Sequence, residues 1–288
     1  MKQITNIPIH KLHPFEGHPY KVLDNQEMNE LIGSIQESGI LTPLLVRPLE
    51  ETKDEYEVIS GHRRLHAVQK AGLETVPAFI HAVDRDAAAI LLVDSNLHRE
   101  HILPSEKAFA YKLKMEAIKH RGKRTDLTSS QLATKFDAAA EIGAASNESR
   151  DQVFRYIRLT HLIPPLLDLV DQRRIAFSVG VELSYLPNQA QEHLAELIEW
   201  DEATPSYSQA VRMHKENGQF SSPITEERID EIMAEVKPNQ REQIRLRRDE
   251  FGKYFPSHYD SEQIKADIFA GLDLLHRQRV RKHDRDAR

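Results

Sequence analysis

The sequence predicts an α+β chain: a small mixed-sheet domain, then an all-helical domain, then a helical C-terminal segment. Three observations lead there. Up to Ile80, short β-branched and aromatic runs alternate with helix-spaced apolar residues. From Asp86 onward every periodic segment has helical spacing. At 288 residues the chain is long enough for two or three domains, which we bound at 1–100, 101–216 and 217–288.

Taken in order, Ile4 to Leu12 reads as one strand ended by His13-Pro14. Asn25 leads into a helix with Met28, Leu31, Ile32 and Ile35 on one face, closed by Gly39. Leu44–Arg47 and Tyr56–Ile59 are strands, and a helix stopped by Gly72 separates the second from Thr75–Ile80. Pro77 marks that last strand as an edge, because proline cannot donate to a ladder. The helix Asp86–Val93 runs into the polar box Asp94-Ser95-Asn96-Leu97-His98-Arg99-Glu100, which is exposed or faces a site.

A helix from Pro104 puts Ala108, Tyr111, Met115 and Ile118 on one face. Its basic group, Lys112, Lys114, Lys119, Arg121, Lys123 and Arg124, falls on the exposed side. Ala138–Ala145 is a short helix, Asn147-Glu148 a turn, and Ser149-Arg150-Asp151-Gln152 a capping box opening another helix. There Val153, Tyr156 and Ile157 face inward and Arg150, Gln152, Arg155 and Arg158 outward. Helices from Pro164 to Lys215 form the body behind this pair. Residues 217–240 look like a spacer or peripheral element with one helix, Thr225 to Val236. The last helix carries the stripe Ile264, Ile268, Leu272 and Leu275, and the charged tail from Arg277 is expected to be disordered.

Composition narrows the function. No cysteine means no disulfide, no zinc-cysteine site and no thiol catalysis, as suits a cytoplasmic protein. No apolar run has membrane-spanning length. The net charge of −6 argues mildly against nucleic acid, but the basic residues are grouped.

Two stretches carry chemistry. In Ser60-Gly61-His62-Arg63-Arg64-Leu65-His66-Ala67 a glycine sits at a strand-to-helix turn and two arginines occupy the helix's first turn. Unpaired N–H groups disfavour cations there, so a shared anion, phosphate above all, explains them. Pairing with acidic residues elsewhere in the fold is the alternative. The second stretch is the helix pair ending at Arg158: arginine suits guanine edges and glutamine adenine, although helix pairs are also commonly structural. His62 and His66, four apart, have zinc spacing, with a third ligand to be guessed from His81, His98 or His101.

In this order the pieces resemble the ParB partition-protein family over roughly Ile4 to Leu186. Ser60 to Ala67 is similar to its G-E-R-R-x-R-A nucleotide-binding motif. Asn96-Leu97-His98-Arg99-Glu100, with Leu103-Pro104-Ser105-Glu106 and Tyr111, resembles its E-N-L-Q-R-E…N-P-x-E…A-Y segment. Ser149-Arg150 to Ile157-Arg158-Leu159 resembles its recognition helix. The resemblance implies a sulfiredoxin-like N-terminal domain binding CTP and Mg2+, a helix-turn-helix domain on a palindromic DNA site, and a homodimer closing into a clamp. It assigns Gly61, His62, Arg63, Arg64, His66, Asn96 and Arg99 to the cofactor, with Asn96 also at the metal. DNA falls to Ser149, Arg150, Gln152, Arg155 and Arg158, with Lys119, Arg121, Lys123 and Arg124 on the backbone.

Three departures matter. His62 and His66 replace the motif's glutamate and arginine, Ser95 replaces the glutamate used at the metal and in hydrolysis, and the basic Gly-Arg-Gly-Leu peptide that engages a ParA-type ATPase is not found. A weak CTPase is therefore the most enzymatic reading, a ParA-type partner is open, and the protein is expected on nucleoid or plasmid. A transcription regulator or nucleoid-occlusion-like protein is the alternative on the same architecture, a metal-dependent nuclease a weaker one, and a sulfiredoxin-like reductase fails for want of cysteine.

Overall fold

The computed structural model describes residues 4–50, 52, 54–97, 99, 101–125, 131–218, 223–235, 254–255 and 259–286. The chain divides into two compact units, Met1–Glu235 and Val236–Arg288.

The first unit opens with a five-stranded mixed sheet. Its strands are β1 (Ile4–Pro8), β2 (Leu12–Pro14), β3 (Leu44–Pro48), β4 (Tyr56–Ser60) and β5 (Thr75–Ile80), in the order β1-β5-β3-β4-β2. The single strand expected from Ile4 to Leu12 is thus two, broken after Pro8 by a 3-10 turn, Ile9–Lys11. β1 pairs antiparallel with β5 at one edge and β2 parallel with β4 at the other. Three residues of 3-10 turn advance about 6 Å, whereas the edges of a flat five-stranded sheet lie about 19 Å apart. The sheet must therefore roll. Pro77 is not on an edge strand, since β5 lies between β1 and β3; pairing with β3 begins only at Ala78, one residue past the proline.

Alternation along β4 sends Val58 to one face and Ile59 to the other, both fully buried. On the Val58 face pack α1 (Gln26–Ser38) and α2 (His62–Ala71), through Met28, Ile35, Leu65 and Val68. Asn25 caps α1 by accepting the Met28 N–H at 3.0 Å, and Gly39 closes it at φ +67°. On the Ile59 face lies α3 (Arg85–Asp94), whose Leu92 and Val93 meet Phe15, Tyr20 and Ala110.

Ala110 belongs to α4 (Pro104–Thr125), the spine of the unit. Ala110 and Ala117 face the sheet domain, Tyr111 and Met115 the following helix pair, and Ala108 the helical body. A helix covered on several sides has little exposed face. Lys114, expected in solvent, is accordingly 2% exposed, with Nζ 2.6 Å from Asp94 at the end of α3. The side chains of Lys123 and Arg124 lie outside the described residues.

The helix pair is α5 (Gln131–Ser146) and α6 (Arg150–Arg158), α5 extending well beyond the short Ala138–Ala145 helix expected. Behind it stand α7 (Pro164–Asp171), α8 (Phe177–Leu183), α9 (Asn188–Asp201), α10 (Tyr207–Glu216) and α11 (Glu226–Ala234). α11 is no spacer: Ile229 and Ile232 are fully buried in the core of this body. Trp200, near the end of α9, is 89% exposed. In the second unit α12 (Ser261–Asp286) continues through the tail expected to be disordered, as its arginines and lysines are good helix formers. Among the described residues no helix is long and apolar enough to cross a membrane.

The α5–α6 turn is tightly specified. Asn147 takes φ +56°, and the Glu148 N–H bonds back to the Gly143 carbonyl at 2.9 Å, a Schellman closure. Glu148 in turn accepts from Lys107 and from the Tyr111 hydroxyl of α4. A Cβ on Gly143 would stand 2.6 Å from the Glu148 carbonyl oxygen, a backbone atom with nowhere to go. Gly143→Ala should therefore destabilise the chain by about 1–3 kcal/mol despite alanine's helix propensity, read as a lower urea midpoint. An unchanged or higher midpoint would show that the turn can open freely.

Candidate functional site

The sheet domain carries a cleft of about 260 Å³ lined by His18, Tyr20, Lys21, Val22, Ser60, Gly61, His62, Arg63, Arg64, Asn96 and Arg99. Gly61 ends β4 and starts α2 at φ +108°, ψ 23°, a left-handed conformation that glycine adopts without strain. A Cβ there would press on Leu44 at 3.1 Å and on the Arg64 guanidinium at 3.3 Å. The open N-terminus of α2 meets the cleft here, and its backbone amides suit an anion.

The cleft's far wall, Phe15 to Val22, has little regular structure. Its backbone donors are taken by side chains from three elements: Phe15 N–H by His62 Nε2 at 3.2 Å, Glu16 N–H by Glu57 at 3.0 Å, and Lys21 N–H by Glu106 at 2.8 Å. Glu57 is itself buried against Arg47, whose Nε donates to it at 2.7 Å. Lys21 Nζ reaches Asp168 and Asp171 of α7, both at 3.1 Å, and Asp171 also receives the Ser105 N–H at the start of α4. These contacts tie the cleft wall to the helical body.

The site residues read from sequence separate into groups. Gly61, His62, Arg63, Arg64, Asn96 and Arg99 converge on the cleft. His66 does not; it bonds Asp24 at 2.8 Å, and Asp24 also holds Lys70. Arg63 pairs with Glu27 at 3.0 Å, so the acidic-partner alternative holds for it. Arg64 donates to the Thr42 and Pro43 carbonyls, and burial lowers its pKa. Arg99 lies over the Tyr20 ring, 5.7 Å from its centroid, and makes no ion pair among the described residues.

His62 and His66 do not converge on a metal. The His62 ring stacks on His18 with centroids 3.6 Å apart, and among the described residues no three His, Asp or Glu side chains group as a metal site. His98 lies outside the described residues. Asn96 Nδ2 donates to the Leu92 carbonyl at 2.8 Å, and the Ser95 hydroxyl donates to the same oxygen at 2.9 Å. Asp94 is committed to Lys114. No carboxylate lines the cleft among the described residues, so the donor set fits an anion and does not fit a resident Mg2+.

Sequence reasoning missed His18, Tyr20 and Lys21. Only the run His18-Pro19-Tyr20-Lys21 between predicted elements hinted at a built wall.

The second surface surrounds α6. Ser149 caps it, accepting the Gln152 N–H at 3.1 Å. Arg150 and Arg155 are exposed and Gln152 half-buried. Arg158, expected outward, is instead pinned: it donates to the Ser184 carbonyl at 2.7 Å and hydroxyl at 3.1 Å and stacks 3.9 Å above Tyr185. Beside it a 360 Å³ groove is lined by Lys112, Lys119, Arg155 and His161 over an apolar floor that includes Phe154 and Val181. Arg121 is exposed on α4.

Residues 1–97 match the ParB N-terminal domain family. The chain is 36% identical over 109 residues to the chromosome-partitioning protein ParB of Caulobacter vibrioides, covering 38% of this chain and 36% of that protein. It is 26% identical over 240 residues to the nucleoid occlusion protein of Listeria monocytogenes, covering 83% and 72%. The chain thus spans just over a third of the length of the curated partitioning proteins it matches. Among solved structures, a C-terminally truncated ParB from Caulobacter crescentus complexed with CTP-gamma-S aligns at 25% identity and TM-score 0.32, covering 68% of this chain and 99% of that one.

The half-buried imidazole of His62 sets an acid limit. Burial first, and the neighbouring His18 second, push the His62 pKa from 6.5 down to about 3. Between those values the unfolded chain binds the proton and the folded chain does not. Stability is therefore full above pH 6.5 and falls on acidification toward pH 3, by at most about 1.4 kcal/mol per pH unit from this group. His62→Gln keeps an acceptor for Phe15 and cannot protonate, so it should flatten the slope of urea stability in mildly acidic buffer. An unaltered slope would place the acid sensitivity elsewhere.

Proposed function

Because residues 1–97 match the ParB N-terminal domain family, we propose that this chain is a ParB-like, sequence-specific DNA-binding protein whose N-terminal cleft takes a nucleoside triphosphate. CTP is the nucleotide the family resemblance selects, and partition of a plasmid, mobile element or chromosome is the role. The observation that carries the reading is the cleft lining. Lys21, Arg63, Arg64 and Arg99 meet a glycine-opened helix N-terminus with no acidic side chain among the described lining residues. Arg63 holds Glu27 outside the cleft at 3.0 Å, an exposed pair that a polyphosphate displaces at small cost, whereas Lys21 is also tied to the nearly buried Asp171. Mg2+ would arrive as the counter-ion of the phosphates, with the Asn96 amide oxygen as a neutral donor.

DNA is read at the start of α6, where Ser149, Arg150, Gln152 and Arg155 present groups suited to base edges and phosphates, on a palindromic site bound by a homodimer. Arg158 orients that helix through Ser184. Lys119 and Arg121 supply backbone contacts. Turnover is slow, because the Ser95 hydroxyl caps its own helix and Asp94 holds Lys114, leaving no described carboxylate to orient a water. The Listeria relative, aligned over 83% of this chain, supports a second reading on the same architecture, a nucleoid-occlusion or regulatory protein. A genomic binding map separates the two: clustered sites beside a replication or transfer region mean partition, promoter-scattered sites regulation.

Titration of the full chain with CTP, ATP, GTP and UTP tests the cleft. CTP should bind, and Arg99→Ala should weaken it at least tenfold. No binding of any nucleotide at millimolar concentration would remove the cleft from the function. On DNA, Arg150→Ala or Gln152→Ala should cost about 1–3 kcal/mol at the specific site and much less on random sequence. Equal losses on both would reduce these residues to phosphate contacts.

A further inference from the structure

One buried group in the cleft has no use in the fold. Four buried side-chain polar atoms lack a hydrogen-bond partner among the described residues, and of these only the Tyr20 hydroxyl belongs to a residue lining the cleft. Tyr20 is 4% exposed; its ring sits among Phe15, Ile59 and Leu92 and meets the edge of His18 at 5.6 Å. The ring earns its place by packing, but the oxygen is desolvated with nothing to receive its proton. Phenylalanine would fill the same space without that cost. A buried polar group left unsatisfied by the fold calls for a partner from outside it, and here the group faces a cleft. Burial, the largest influence, raises the hydroxyl's pKa and keeps it a neutral donor.

Its neighbour points to the acceptor. Arg99 lies over the Tyr20 ring and is the cleft guanidinium without an ion pair or carbonyl among the described residues, whereas Arg63 holds Glu27 and Arg64 the Thr42 and Pro43 carbonyls. A donor hydroxyl beside an uncommitted cation suits one oxyanion, since hydrogen bonds to a charged acceptor are about twice as strong as neutral ones.

We infer that Tyr20 is a ligand-contacting residue: its hydroxyl donates to a phosphate oxygen of the nucleotide bound in the cleft, and Arg99 swings from the ring to the same anion. This rests on the nucleotide reading above and adds to it a residue that no motif marks.

The experiment compares the unmodified full chain with Tyr20→Phe in two measurements. Without nucleotide, Tyr20→Phe should melt at a higher temperature, because an unsatisfied group has been removed. With CTP and Mg2+ in calorimetric titration, it should bind about tenfold more weakly, and inorganic tripolyphosphate should show the same loss. A lower melting temperature would mean that the hydroxyl has a structural partner, and the inference falls. Undiminished CTP binding by Tyr20→Phe, while the unmodified chain binds, overturns the assignment of Tyr20 alone. A loss for CTP but not for tripolyphosphate overturns the phosphate contact. Failure of the unmodified chain to bind CTP overturns both the inference and the nucleotide reading beneath it.

Discussion

The cleft depends on how one irregular stretch of backbone is satisfied. Phe15 to Val22 has no ladder to donate into, and a buried N–H without an acceptor costs as much as a lost hydrogen bond. His62, Glu57 and Glu106 supply the acceptors, from α2, β4 and α4 respectively. The wall is thus set by elements distant from one another in sequence. Glu57 can stand buried only because Arg47, its cross-strand partner, neutralises it. The rolled sheet brings these groups within reach, and α4 carries the same constraint into the helical body through Glu106, Ser105 and Asp171.

This arrangement explains why charges in the cleft are not interchangeable. Arg64 serves the fold by holding the turn before β3, and a partly desolvated guanidinium with carbonyl partners is costly to move. Arg63 and Arg99 are nearer the surface and free to change partners. Arg158 stands to α6 as Arg64 does to α2, fixed by carbonyl and ring contacts while its neighbours Arg150 and Arg155 stay exposed. In each place one arginine builds and others reach out.

Local signals were legible in the sequence. Asn25 and Ser149 announced their helices as side-chain caps, Gly39 and Gly72 ended theirs, and Gly61 was recognised as a strand-to-helix turn. What failed were inferences that needed the third dimension. A period of two cannot tell one long strand from two strands on opposite edges, so Ile4 to Leu12 was read as one. A helical stripe identifies a single buried face, and α4 has several, so Lys114 was misplaced. The fates of Arg63, His66 and Arg158 turn on Glu27, Asp24 and Ser184, partners 36, 42 and 26 residues away that no local pattern announces. Of the six cleft residues read from sequence, Gly61, Arg63 and Arg64 were marked by the turn and by two cations in a helix's first turn, and His62, Asn96 and Arg99 by the family motifs, while Tyr20 and His18 fall in a stretch whose meaning lies in its hydrogen bonds.

The placement of Trp200 bears on how this protein can be watched. It is the single tryptophan of the chain, and at 89% exposure its indole already lies in water. Intrinsic emission will therefore start at the long-wavelength, hydrated limit and move little when the cores melt, so an optical signal commonly used to report folding is nearly blind to it. The same residue is a sensitive reporter for the reverse event: anything that covers the end of α9 will dry the indole and shift its emission to the blue. Fluorescence of this chain is thus a gauge of association at one spot and a poor thermometer of the whole.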